Sequence, residues 1–291
     1  MSVYPASQIT RHRATKSEME ERAGFLFAYA WQHAPVTVRQ LFYAATVAGV
    51  PGIDKTEAGY NKVQSQVLAL RRAGRLDYNW IADGTRLMRR PRTHDGWQAA
   101  LRDTAEVYRK SLWANSEDEV EIWLEKDALG GVIIPVTSEY DVPLMVTRGF
   151  TSETFAHNAV EAVAGSDKTL VIYSLFDFDR SGRDAQESLR KKVERFGTEY
   201  GVSVAFFPLA LTDEQVKDLA LPVRPPKRNT TADQRWPYDY AAELDAIPPE
   251  TLREMVRTAI ERHLPSHELE VLKTIEAEER RTLMNFVGRA A

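Results

Sequence analysis

Apolar runs alternate with helical patterns through the second half of the chain. The runs predict strands over residues 120–124, 142–147 and 203–209 and from Thr169 onward. The run from Thr169 is mostly apolar, which is typical of a strand buried on both faces of a parallel sheet. Helical periodicity predicts helices that open at Asp127, span 152–164 and span 183–196. This alternation predicts an α/β fold with a Rossmann-like parallel sheet.

The N-terminal part of the chain has apolar positions at helical spacing instead. Capping boxes begin at Ser17 and Thr37, and the pattern predicts helices over residues 17–32, 37–49 and 57–73. Alternation over 76–88 predicts a short hairpin. Three helices and a hairpin predict a winged helix-turn-helix whose third helix reads DNA. The arginines expected to contact DNA phosphates at the end of that helix are Arg71, Arg72 and Arg75.

These patterns divide the chain into four parts. Residues 1–92 form the predicted winged-helix domain, 93–117 a helical linker, and 118–220 the sheet domain. Residues 221–291 form a loop and C-terminal helices that we expect to pack on the sheet domain. The loop, which is rich in Pro, Arg and Thr, either follows a DNA strand with Lys227, Arg228, Arg235 and Trp236 or is a plain connector.

Charge is distributed unevenly along these parts. Residues 1–115 carry a net charge of +7 and the remainder −11, which together give the overall −4. A basic module joined to an acidic one is expected of a DNA-binding unit next to a metal-binding unit, although ordinary surface charge is the alternative. The chain has no cysteine, and it has no apolar signal core or long apolar run. These features predict a soluble, cytoplasmic protein without a membrane segment.

Candidate chemistry lies at the carboxyl ends of two predicted strands. Asp177 and Asp179 follow the Thr169 run, and Glu125 follows the strand 120–124. Because parallel strands bring their carboxyl ends to one edge, we expect the three carboxylates to meet there and to bind Mg²⁺, which Mn²⁺ replaces in some sites. Alternatively, the aspartates are solvated loop residues beside a helix cap at Asp184.

These acids carry a resemblance to a known family. Glu125 at a strand end, then Asp177-x-Asp179 with Gly182 three residues on, resembles the Toprim domain of topoisomerases, primases and related nucleases. The segment 125–128, Glu-Lys-Asp-Ala, resembles the A subunit of topoisomerase VI and the meiotic double-strand-break transesterase. The resemblance spans roughly residues 119–200. One departure is Arg180, where that subfamily usually has proline.

A second resemblance lies upstream. Residues 38–43, VRQLFY, resemble the Arg-x-x-aromatic-Tyr motif on the winged-helix domain of the same A subunits. The resemblance implies that Tyr43 attacks DNA and that Arg39 holds the scissile phosphate. It also implies a homodimer in which Tyr43 of one subunit completes the metal site of the other. Arg148-Gly149 resembles a glycine-rich segment of that family, and Arg148 is therefore a candidate DNA contact. Packing is the alternative role for Tyr43, as a surface position is for Arg148.

The resemblance implies a DNA-cleaving enzyme of the type IIB A-subunit kind, similar to compact Mini-A proteins. No Walker-type segment is present, so we expect no ATP site here and either a separate ATPase subunit or independent action. Two alternatives remain: a Toprim nuclease that uses water, in which Tyr43 is structural, and a non-catalytic DNA-binding protein. The role of Glu243 and Asp245, as metal-site support or as caps, stays open.

Overall fold

The computed structural model describes residues 14–82, 93–147, 153–231, 233–264 and 266–290. Within them a parallel sheet has the order β2-β1-β3-β4, so the predicted α/β fold is confirmed. The strands are β1 (Asp118–Leu124), β2 (Leu144–Val146), β3 (Thr169–Leu175) and β4 (Val204–Ala210). β1 and β3 pair in register from Asp118↔Thr169 to Leu124↔Leu175, and so they end at the same level.

Helices cover both faces of this sheet. On one face, α5 (Asp127–Glu139) lies beneath α9 (Pro249–Glu261), and on the other lie α6 (Glu153–Glu161) and α7 (Arg180–Tyr200). β1 serves both layers, since Ile122 packs in the core with α5 whereas Trp123 packs in the core with α6 and α7. Burial on both faces explains why the central strands read as continuous apolar runs.

Three N-terminal helices pack on one another: α1 (Lys16–His33), α2 (Val38–Val47) and α3 (Glu57–Arg72). α2 begins with the predicted capping box, in which the Thr37 hydroxyl accepts a hydrogen bond from the Gln40 amide at 3.0 Å. The box predicted at Ser17 is wrong, because Thr15 caps α1 together with Glu18. Thr15 and Ser17 both have glutamate three residues later, so the motif alone does not distinguish them.

The hairpin predicted after α3 is only partly within the described residues. Residues 78–80 form a turn of 3₁₀ helix instead of a strand, since Asp77 caps the Asn79 amide at 2.8 Å. Ile81 makes a single parallel bridge with Val36. The rest of the predicted wing, residues 83–92, lies outside the described residues, as does Arg148.

The remaining helices are α4 (Trp97–Val107), α8 (Asp213–Asp218) and α10 (Ser266–Ala290). α10 packs along α4 in the predicted linker, and Lys110 beyond α4 pairs with Glu279 at 2.9 Å. α9, in contrast, lies on α5 of the sheet domain. Across the described ranges, we find no helix that combines the length and the apolar character needed to cross a membrane.

Candidate functional site

The turn between β1 and α5 brings Glu125 and Lys126 to the carboxyl edge of the sheet. The Glu125 amide donates to the Leu175 carbonyl at 3.0 Å, continuing the β1–β3 ladder one step past the strand. α5 then begins at Asp127. Glu125 is therefore held at a defined height beside the end of β3, as the strand pattern predicted.

The turn between β3 and α7 supplies the two aspartates. Phe178 lies between them and is fully buried. Successive side chains of an extended backbone point to opposite sides, so Asp177 and Asp179 point to the other side from the Phe178 ring. The Asp177 amide donates to Glu125 Oε2 at 2.9 Å. Both turns are thus joined by a hydrogen bond that involves two of the predicted metal ligands.

Asp179 also begins α7. Its Oδ1 accepts a hydrogen bond from the Gly182 amide at 2.8 Å, so the helix starts at Arg180, three residues before the predicted start. A Cβ on Gly182 would lie 2.4 Å from the Asp177 carbonyl oxygen, and only glycine fits this turn. Arg180, at the position where the family has proline, pairs with Asp233 at 2.8 Å and with Asp184.

Residues 221–248, here called the crossing segment, run over the carboxyl edge of the sheet. Ala242 pairs with Phe178 through backbone hydrogen bonds of 2.9 and 3.0 Å, and the Leu244 amide donates to Asp177 Oδ1 at 2.9 Å. Trp236 is buried against the Phe178 ring, with the ring centroids 5.0 Å apart. The Trp236 ring therefore anchors the crossing segment and is not exposed to stack on a DNA base.

The crossing segment adds Glu243 and Asp245 to the three predicted acids, and these five residues are called the acid cluster. Lys126 lies among them. Its Nζ is 2.9 Å from Asp177 Oδ2, 3.0 Å from Asp245 Oδ2 and 3.3 Å from Glu243 Oε2. One ammonium therefore neutralises carboxylates from both the sheet edge and the crossing segment.

Two arginines bind the outer side of the acid cluster. Arg224 donates to Asp179 Oδ2 at 2.8 Å, and Arg39 on α2 donates to Glu243 Oε2 at 2.9 Å. The Thr37 hydroxyl donates to Asp245 at 3.1 Å. The start of α2 is thus docked directly on the acid cluster, and Arg39 connects through Glu243 and Lys126 to Asp177.

An open cavity of about 860 Å³ lies between the N-terminal helices and this edge. Its lining contains nearly equal numbers of acidic and basic side chains, and every member of the acid cluster is among them. The acidic residues are Glu125, Asp127, Asp177, Asp179, Glu243 and Asp245, and the basic ones are Arg39, Arg71, Lys126, Arg224 and Lys227. Basic side chains in this cavity suit an anion such as a phosphodiester, and the acidic ones suit a cation bound beside it.

Burial and mutual repulsion perturb the acids. The pKa of Glu125 is raised by burial and by the Asp177 charge, and the pKa of Asp177 is raised by burial against the opposing effect of Lys126. Burial also acts to raise the pKa of Glu243, but Lys126 and Arg39 outweigh it and lower the pKa. Glu125 and Asp177 are therefore less well compensated than Glu243.

Tyr43 lies at the border of this site. Only 6% of the residue is exposed, and its ring lines a separate pocket of about 340 Å³ with apolar neighbours such as Phe25, Val47 and Ile247. Burial, then the Glu243 charge, raise the pKa of its hydroxyl to about 12, while Arg39 opposes the shift. Tyr43 is thus close to the charges of its own chain's acid cluster, but protonated and covered.

The three arginines predicted to contact DNA at the end of α3 have different surroundings in the structure. Arg71 lines the cavity, with its guanidinium 4.3 Å from the centre of the Tyr78 ring. Arg75 pairs with Glu20 on α1 at 2.6 Å. Arg72 is exposed at the end of α3. Of the three, only Arg71 therefore lies next to the acid cluster.

The sequence pattern predicted Arg39 and Arg71 but not the other two cations that contact the acid cluster, Lys126 and Arg224. The sole sequence signal for Lys126 is its place directly after a strand-end acid, and the signal for Glu243 and Asp245 was too weak to assign a role. Their meeting depends on the path of the crossing segment.

The donor chemistry of the acid cluster fits a divalent ion, since hard cations take carboxylate oxygens and the Glu125 carboxylate lies directly beside Asp177, whose amide is 2.9 Å from Glu125 Oε2. The side chains are nevertheless arranged around internal cations. In the part of the chain that the structure describes, no group of three or more acidic or histidine side chains is placed to enclose a metal ion. Lys126 and Arg224 occupy oxygens of Asp177 and Asp179 that such an ion would use.

Comparison with known proteins assigns no family to this site. No protein-family model matches the chain, and a search of curated proteins finds no match. The function is therefore inferred from the geometry of the acid cluster, the docking of α2 on it, and the motif resemblances.

Proposed function

We propose that this chain is a DNA-cleaving transesterase of the type IIB topoisomerase A-subunit kind, in which Tyr43 attacks a phosphodiester. The docking of α2 on the acid cluster carries this proposal. Arg39 lies 2.9 Å from Glu243, and the Tyr43 hydroxyl is near enough to Glu243, Arg39 and Lys126 for their charges to affect its pKa. The sequence motif and the sheet-edge acids are thus adjacent in space.

The reaction exchanges one phosphodiester for another. The Tyr43 oxygen forms a bond to phosphorus, the bond from phosphorus to a deoxyribose oxygen breaks, and the phenol proton is balanced by protonation of that oxygen. Arg39, once released from Glu243, binds the phosphate oxygens. Glu125, Asp177 and Asp179 would hold Mg²⁺ or Mn²⁺, which supplies positive charge for the phosphoryl group when bound.

Cutting both strands of a duplex requires two such centres, so the proposal includes double-stranded DNA as substrate and a homodimer. An ATPase subunit on a separate chain would couple cleavage to strand passage. Because the chain has no cysteine, we also propose a cytoplasmic location.

A hydrolytic nuclease is the second candidate, and the burial of Tyr43 favours it. A hydroxyl with a pKa of about 12 and a residue exposure of 6% is a poor nucleophile until α2 moves. In this candidate the same acids would hold a divalent ion that supplies the activation of water, and Tyr43 only packs against its apolar pocket.

The deciding experiment uses supercoiled plasmid with Mg²⁺ or Mn²⁺, analysed with and without proteinase. We compare the unaltered protein with Tyr43→Phe. Tyr29→Phe is the matched control, because Tyr29 lines the same apolar pocket and its pKa is also raised by burial. Transesterification predicts protein-linked DNA ends that disappear in Tyr43→Phe and persist in Tyr29→Phe.

Other outcomes are equally informative. Protein-free ends from both the unaltered protein and Tyr43→Phe would replace the transesterase with the hydrolytic nuclease. Binding of DNA without any cleavage would contradict both enzymatic proposals for the isolated chain and favour the DNA-binding alternative.

A further inference from the structure

Carboxylates satisfy the whole ammonium group of Lys126. Its three N–H donors are matched by oxygens of Asp177 at 2.9 Å, Asp245 at 3.0 Å and Glu243 at 3.3 Å. Burial acts to lower the pKa of Lys126, but these three charges outweigh it and raise the pKa. Lys126 is therefore a fully charged counter-ion inside the acid cluster.

Both side-chain oxygens of Asp177 are already engaged. Oδ1 accepts the Leu244 amide at 2.9 Å, and Oδ2 accepts Lys126. The Leu244 amide is fixed, because Ala242 two residues earlier is paired with the Phe178 backbone. Lys126, in contrast, sits on a flexible four-carbon stem. A ligand that needs Asp177 displaces Lys126 more easily than it displaces the backbone.

We propose that Lys126 is the resident counter-ion of the acid cluster and that a divalent ion binds only by displacing its ammonium from Asp177. The inference rests on the proposed function, which requires a cation at Glu125, Asp177 and Asp179. Two cations on one carboxylate oxygen repel each other, so the two occupancies exclude one another. The displaced ammonium keeps Asp245 and Glu243 as partners, and Lys126 thereby sets the apparent affinity for the ion.

The test is a calorimetric titration of the full chain with Mn²⁺. Lys126→Met removes the competing cation and leaves the cluster with one more uncompensated negative charge. We expect Lys126→Met to bind Mn²⁺ with a Kd at least about tenfold lower than the unaltered protein. Lys126→Arg keeps the charge and is expected to bind no more tightly than the unaltered protein.

Lys168→Met is the matched control. The Lys168 side chain is 23% exposed, against 26% for Lys126, and it pairs with Glu119 at 3.0 Å at the opposite edge of the sheet. It should leave Mn²⁺ affinity unchanged. If Lys126→Met does not fold, Lys126→Gln keeps part of the stem and two N–H donors without the charge and is expected to show the same gain in affinity.

Equal or weaker Mn²⁺ binding by the Lys126→Met or Lys126→Gln protein would overturn the inference, as would absence of Mn²⁺ binding by every variant. The proposed function fails separately. Tighter Mn²⁺ binding by Lys126→Met, with no DNA cleavage by the unaltered protein, would contradict the transesterase and nuclease proposals but leave the counter-ion role of Lys126 supported. DNA cleavage with unchanged Mn²⁺ affinity in Lys126→Met would do the reverse.

Discussion

The two edges of the same sheet use charge in opposite ways. At the amino edge, His263 joins Asp118 at 2.6 Å and the Tyr173 hydroxyl at 2.9 Å, while Lys168 pairs with Glu119 at 3.0 Å. Asp118 and Glu119 thus each have a basic partner. This edge carries ordinary ion pairs that hold the strand ends to neighbouring segments.

At the carboxyl edge, charges crowd together. Lys126 serves three carboxylates, and the pKa of Asp177 stays raised, chiefly by burial, despite this ion pair. Burying several charged groups in one place costs folding free energy, which the strand ends at the other edge avoid. The comparison teaches that a concentration of buried charges that share partners, more than the presence of charged residues, distinguishes a candidate functional edge from a structural one.

The largest effect should come from Asp177→Asn. We expect loss of DNA cleavage by about 100-fold or more, because a neutral amide is a poor ligand for a cation beside a phosphate. The free energy of unfolding should change by less than about 1 kcal/mol, since the ionised Asp177 is itself unfavourable in the fold. Cleavage of plasmid and urea unfolding measure the two quantities.

Asp118→Asn is the control at the opposite edge for this variant. It makes the same chemical change at the start of β1 and should leave cleavage intact. A variant Asp177→Asn that still cleaves, or one that unfolds while Asp118→Asn does not, would break the contrast between the edges.

An intermediate effect is expected at Glu121, within β1 between the two edges. Glu121 is 7% exposed and accepts a hydrogen bond from Trp123 Nε1 at 2.6 Å. Burial raises its pKa to about 7, whereas the pKa of a glutamate in an unfolded chain is about 4.3. Between these values the folded state holds a proton that the unfolded state has lost, so stability falls as the pH rises toward 7.

Glu121→Gln removes that titration. At pH 8 the variant should be more stable than the unaltered protein by about 3 kcal/mol, and at pH 4 the two should be nearly equal. Urea unfolding at both pH values measures the difference. An equal gain at both pH values would show that the effect is packing rather than ionisation.

The smallest effect concerns the stability of Asp118→Asn itself. The acceptor of the hydrogen bond from His263 loses its negative charge, and we expect the free energy of unfolding to fall by about 1 kcal/mol. Mn²⁺ affinity should stay that of the unaltered protein. A change in Mn²⁺ affinity would mean that the two edges are coupled through the strands.

Much of the site was predictable because it is local. The runs that form β1 and β3 predicted where Glu125, Asp177 and Asp179 stand, since paired parallel strands of equal length end together. The start of α7 was misplaced because Asp179 and Asp184 are both acceptable caps, and only the Gly182 amide shows which one is used. The wing was wrong over residues 78–80, where the Asp77 cap favours a turn.

The contacts that complete the site join distant parts of the chain. Arg39 and Glu243 are 204 positions apart, and Lys126 and Asp245 are 119 apart. No periodicity or spacing in the sequence encodes such pairs. They form because Phe178 and the rings packed on it hold the crossing segment over the sheet edge.

The sequence by itself determined the α/β class, the strand-end positions of the three predicted acids and the helical placement of Arg39 and Tyr43, because hydrophobic periodicity and capping act over a few residues. Only the tertiary structure decided that Lys126 neutralises acids from two segments, that Arg39 pairs with Glu243, and that Tyr43 is covered. Those outcomes depend on which surfaces meet when the core is buried, and burial sums contributions from the whole chain.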